Sequence, residues 1–192
     1  MQIFISGGCK NGKSTYAQRL AKENSAPLLP LYYIATMTAC DIEDEMRIIR
    51  HKKEREGFNF ITIEQPYNIE EILTKCNLKG TFLLDSLTAL LANEMFLQDG
   101  TYNEDASQKI AKALSKILAN IKNIIFVSDY IYSDAFVFDP LTESYRKSLA
   151  ILDSLVATQC QLVQEVQYTQ IITHKGRAKG YGNGAITPLG LF

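Results

Sequence analysis

Gly7-Gly8-Cys9-Lys10-Asn11-Gly12-Lys13-Ser14 fits the pattern G-x-x-x-x-G-K-[ST], directly after a short apolar run at the start of the chain. Glycines at these places let the backbone wrap an anion with successive N–H groups turned inward. A helix opening at Lys13 offers its positive end to the same anion. The expected nucleotide cradle is Gly7, Gly8, Cys9, Lys10, Asn11, Gly12, Lys13, Ser14 and Thr15, with Lys13 reaching the β and γ phosphates and Ser14 placed for Mg²⁺. Such a site needs a carboxylate at the end of a neighbouring apolar strand, and Phe82-Leu83-Leu84-Asp85 supplies one. Asp129, after Ile124–Ser128, is a second candidate.

A second chemical signature lies between residues 41 and 56. With 100° per residue, Asp44, Arg47, His51 and Arg55 share one side of a helix, joined by Lys52. Ile42, Met46 and Ile49 share the opposite side, which is expected to be buried; Ile48 on the polar side does not fit the pattern. A histidine among phosphate-binding cations can serve as a general base or as a nucleophile at phosphorus. The same spacing also describes a solvated charged face carrying an incidental histidine, and spacing alone does not decide between them.

These groups need a scaffold, and apolar runs alternating with amphipathic stretches specify one. Strands are expected at 2–6, 31–35, 58–63, 80–85, 123–128 and 162–173, and helices at 13–23, 41–56, 69–76, 86–97, 104–122 and 141–161. Asn68 and Asn103 read as helix starts. The alternation implies an α/β fold of the P-loop NTPase-like kind, a mostly parallel central sheet with helices on both faces. Residues 1–174 are expected to form one domain. Lys175–Phe192, with Gly176, Gly180, Gly182, Gly184 and Gly190, reads as a mobile basic tail or as a loop closing over a phosphate or a neighbouring subunit.

Bulk properties narrow the function class. The 192 residues carry 20 Lys+Arg against 21 Asp+Glu, a net charge of −1 that argues against a nucleic-acid binder. No apolar run approaches the ~20 residues of a membrane span. Met1–Ser6 lacks the basic and apolar segments of a signal peptide, so a cytoplasmic location is expected. Cys9, Cys40, Cys76 and Cys160 are scattered, reading as buried small hydrophobes, and two histidines are too few for a histidine-rich zinc site.

The ordered series Gly7-Gly8 to Lys13-Ser14, Tyr33-Ile34-Ala35-Thr36, Asp44-Glu45-Met46, Ile48-x-x-His51-Lys52 with Arg55, Ile61–Glu64, and Leu83–Thr88 through Asn93 resembles the bifunctional adenosylcobinamide kinase/adenosylcobinamide-phosphate guanylyltransferases. The resemblance implies phosphorylation of adenosylcobinamide, then transfer of GMP from GTP to give adenosylcobinamide-GDP in cobalamin nucleotide-loop assembly. It implies a guanylylated His51, a nucleotide site extended by Thr36, Arg47, Lys52, Arg55, Glu64 and Asp85, use of GTP, ATP and Mg²⁺, a corrinoid substrate and a homotrimer. Pro140 and Tyr145-Arg146 continue the likeness. Ser128–Ser133 stands where the family carries Asn-Glu-Val-Gly, and Asp153 stands for a family asparagine. The departures leave two alternatives open: a kinase without guanylyl transfer, and a non-catalytic GTP-binding relative.

Overall fold

A computed structural model describes the chain apart from residues 40, 41, 43–45, 47, 50, 51, 54, 134, 169, 177–185 and 189–192, with backbone alone for Ile186–Pro188. Its strands are β1 (Gln2–Gly7), β2 (Leu31–Ala35), β3 (Ile61–Glu64), β4 (Thr81–Asp85), β5 (Asn123–Val127), β6 (Leu162–Gln167), β7 (Gln170–Lys175) and β8 (Ile186–Pro188). Its helices are α1 (Lys13–Glu23), the short α2 (Ile72–Lys75) after a 3-10 turn at Ile69–Glu71, α3 (Leu87–Met95), α4 (Ala106–Asn120) and α5 (Pro140–Gln159). The described strands form one eight-stranded sheet in the order β3-β2-β4-β5-β1-β6-β7-β8. Pairing is parallel from β3 to β6 and antiparallel from β6 to β8.

Side-chain alternation along the strands assigns the two faces. Phe4, Tyr32, Ile34, Phe82, Leu84, Ile124 and Phe126 pack with α3, α4 and α5 on one side. Ile3, Ile5, Leu31, Tyr33, Leu83, Ile125 and Val127 pack with Ala17 and Ala21 of α1 on the other. Central strands buried on both faces explain their near-continuous apolar sequence. Helix starts are locally encoded: Asp139 accepts from the N–H groups of Leu141 and Thr142 ahead of α5, and Ser86 accepts from Ala89 N–H ahead of α3.

Several expectations change. The stretch 162–173 is two strands, because a tight connection through Tyr168, at φ 49°, turns the chain so that Gln167 pairs with Gln170. The sheet also runs past residue 174, since Lys175 ends β7 and Ile186–Pro188 add β8. Residues 58–60 lie outside β3. Ile42, Met46 and Ile49 are helical yet 75%, 66% and 65% exposed, reversing the expected burial. Their segment lies beyond β2 and turns its Ile48 side, not this stripe, toward the protein. Cys9 is exposed rather than buried, while Cys160 is buried and its thiol is pushed up to about 12 by that burial.

Candidate active site

The carboxyl ends of the parallel strands meet at a cleft of about 1010 Å³. Five of them deliver lining groups there: the phosphate loop after β1, Tyr33 and Ala35 from β2, Glu64 from β3, Asp85 from β4, and Val127 with Asp129 from β5. Ligand clefts of open α/β sheets form at this edge, where crossovers leave on opposite faces.

Lys10, Asn11, Gly12, Lys13, Ser14 and Thr15 line the cleft together with Cys9. Gly12 precedes α1 at φ 88°, a left-handed conformation that favours glycine. Asn11 Oδ1 accepts from Lys13 N–H, the first of α1, at 3.3 Å, while the first turn carries no acid, so the N–H groups that follow can meet an anion. Gly7 is fixed by crowding, since a Cβ there would collide with the Val166 carbonyl and the Asn11 amide. Lys13 is buried, and its Nζ donates to Gly8 O at 2.9 Å and to Asp129 Oδ1 at 2.5 Å.

Around this loop the structure brings together most of the other expected residues. Asp85 Oδ2 accepts from Tyr33 Oη at 2.8 Å, and the Arg55 guanidinium lies 3.8 Å from the centre of the Tyr33 ring. Burial, then the charge of Asp85, holds the Tyr33 phenol well above its usual range, so it stays a donor. Lys52 lines the cleft 3.4 Å from Glu64 at its rim. Thr36 takes a different place: wholly buried, it donates to Ser86 O at 2.8 Å and accepts from Ser86 N–H at 2.7 Å. It thereby ties the end of β2 to Ser86, a lining residue, without itself lining the cleft. His51 and Arg47 lie outside the described residues.

Ser14 and Asp85 line one cleft, and one oxygen of Asp85 is used by Tyr33 while Oδ1 receives no hydrogen bond from the described residues. That donor set fits a divalent ion whose remaining ligands are phosphate and water oxygens. Among the described residues no cluster of three or more His, Cys, Asp or Glu could hold a metal by itself.

Sequence reasoning missed Tyr33, Thr88, Asn93 and Tyr145 as parts of this site. Tyr145 Oη donates to Thr88 O at 2.9 Å, and Asn93 Nδ2 donates to Thr36 O at 2.7 Å. Asn93 and Tyr145 were visible only as fragments of a familiar series, since their partners lie 57 residues away.

Residues 3–169 match the family described as cobinamide kinase / cobinamide phosphate guanyltransferase. The chain belongs to this family. It is 28% identical over 164 residues to the bifunctional adenosylcobalamin biosynthesis protein CobP of Pseudomonas aeruginosa, covering 85% of this chain and 91% of that protein. It is 30% identical over 106 residues to CobU of Escherichia coli K12, covering 55% and 56% of the two chains. Among solved structures, a KaiC-like protein from Pyrococcus horikoshii OT3 covers 97% of this chain and 88% of its own, with a TM-score of 0.53 at 10% identity. That likeness concerns the fold. In this chain one strand, β5, separates the phosphate-loop strand β1 from the acid-bearing β4. Membership of the cobinamide kinase/guanylyltransferase family gives the chain its activity: a kinase and guanylyltransferase acting on cobinamide in cobalamin biosynthesis.

Proposed function

We propose that this enzyme phosphorylates adenosylcobinamide from a Mg²⁺-bound nucleoside triphosphate and then transfers GMP from GTP through a guanylyl-His51 intermediate. The observation that carries the reading is the cleft itself, where the phosphate loop, Asp85 and the cations Lys52 and Arg55 face one another. Lys13, Ser14 and the leading N–H groups of α1 bind the triphosphate and stabilise charge developing on the transferred group. When bound with the nucleotide, Mg²⁺ would be held by Ser14 and Asp85 and would neutralise charge on the phosphate oxygens.

For guanylyl transfer, His51 in its neutral form attacks the α-phosphorus and pyrophosphate leaves. The cobinamide phosphate oxygen then attacks the GMP–histidine, freeing His51. Support for His51 comes from its sequence neighbours: Ile48 and Lys52 are helical and line the cleft. Arg47, Lys52 and Arg55 are assigned to phosphate contacts, and Glu64 and Thr36 to holding the site's outer wall. Because the attacking imidazole must be neutral, labelling should weaken below about pH 6.

Incubation with α-phosphorus-labelled GTP and Mg²⁺, then denaturation, tests the intermediate. The expected label is acid-labile, alkali-stable and lost in His51→Ala. Folded, kinase-active wild type that takes up no label would exclude it and leave a kinase alone. The reading includes ATP or GTP as phosphoryl donor, a cytoplasmic location and a homotrimer. No helix among the described residues is long and apolar enough to cross a membrane.

A further inference from the structure

The chain leaving β5 is stitched to the phosphate loop on both sides of Asp129. Ser128 N–H donates to Ile5 O at 3.0 Å and Tyr130 N–H to Gly7 O at 2.9 Å. Asp129 N–H itself donates to Thr88 Oγ1 at 2.8 Å. The backbone at Asp129 is therefore fixed relative to β1, and only its side chain is left to choose a position. That side chain places Oδ1 2.5 Å from Lys13 Nζ, with side-chain exposures of 7% for Lys13 and 27% for Asp129.

Lys13 is the cation that a bound triphosphate needs, so Asp129 and the terminal phosphates compete for one ammonium. A phosphate oxygen arriving at Lys13 repels the carboxylate, and the fixed backbone allows it only a short swing. Kept close to Lys13 by that backbone, it would stay within the part of the cleft that receives the terminal phosphate and the acceptor alcohol. The other described carboxylates of the cleft are worse placed. Asp85 is engaged by Tyr33 and sits two strands from β1, while Glu64 stands on the edge strand beside Lys52.

We propose that Asp129 is the proton acceptor of the kinase step, and that its ion pair with Lys13 is the position it leaves when nucleotide binds. As the alcohol oxygen bonds to the γ-phosphorus, its proton passes to Asp129. The bond from the γ-phosphorus to the β–γ bridging oxygen breaks, leaving a nucleoside diphosphate and a phosphate monoester. Asp129 then releases the proton to solvent. This assignment rests on the kinase activity of the family and goes beyond the metal role that the sequence offered for this residue.

The test is Asp129→Asn, which keeps shape and removes the charge. Two readouts are taken on the same preparation: nucleotide affinity by calorimetry, and corrinoid phosphorylation against pH and Mg²⁺. Nucleotide should bind severalfold more tightly, because Lys13 loses its competitor. The kinase kcat should fall by about 10²-fold or more, the usual reach of general-base catalysis. Asp129→Glu should recover part of the rate, and stands in should the asparagine variant not fold. A kcat within about threefold of wild type, or full rescue by raised Mg²⁺, would overturn the base assignment. Unchanged or weaker nucleotide binding would overturn the ion-pair competition, even if wild type showed no turnover, which would be a failure of the kinase reading instead.

Discussion

Asp153 of α5 is the acid whose surroundings most oppose its charge. It is 2% exposed, accepts from Tyr132 Oη at 3.0 Å through Oδ2, and its Oδ1 has no well-formed hydrogen bond among the described residues. Burial pushes its carboxyl up to about 7; the Ser128 and Tyr132 hydroxyls oppose the shift, and the nearby charge of Asp129 adds to it. The folded protein therefore holds a proton here that the unfolded chain releases near pH 4. Stability falls as pH rises between those two values and levels off above about 7, because the native state binds more protons in that window. The loss is ~4 kcal/mol at most, the free-energy equivalent of a shift of that size. Asp153→Asn supplies a neutral side chain of the same shape, the residue type expected at this place. Its melting temperature should exceed that of wild type at pH 8 and approach it at pH 4.5. Equal differences at both pH values, measured by calorimetry, would show that Asp153 is ionised in the fold.

At the scale of elements, α1 combines a clear signal with a hidden flaw. Gln18 faces the sheet with no exposure, and neither its amide nitrogen nor its carbonyl oxygen has a partner among the described residues. Gln18→Met fills similar volume without the buried amide. It should stabilise the protein by about 1–2 kcal/mol, read as an increased urea midpoint at unchanged m-value. A lower midpoint would mean that the amide is satisfied. The phosphate loop and α1 were legible in the sequence because their chemistry is local: glycines, lysine and helix start fall within eight residues. The β6–β7 turn was not, since Tyr168-Thr169 carries none of the usual glycine or asparagine signals for a tight hairpin. The Lys13–Asp129 pair spans 116 residues and arises only from placing β5 beside β1. The helix expected over 41–56 is matched at Ile42, Met46, Ile48, Ile49, Lys52 and Lys53 among the described residues, but periodicity identifies an apolar side without saying what covers it.

That stripe matters for the whole molecule. Ile42, Met46 and Ile49 present apolar side chains at 65% exposure or more, on the segment whose Ile48 and Lys52 line the cleft. Monomers rarely leave adjoining apolar residues in water, and each side chain covered by a neighbour gains about 1 kcal/mol or more. A homotrimer in which this stripe meets another subunit would bury it and brace the cleft wall at the same time. Light scattering at micromolar concentration should then give the mass of three 21.6 kDa chains for wild type. Met46→Glu combined with Ile49→Glu should drop the mass to that of one chain, because two carboxylates on a buried contact are costly to desolvate. The circular dichroism spectrum should not change, since neither side chain belongs to the core clusters of the fold. If the double variant keeps the wild-type mass, the stripe lies outside the contact, and assembly must be sought on another face of the sheet.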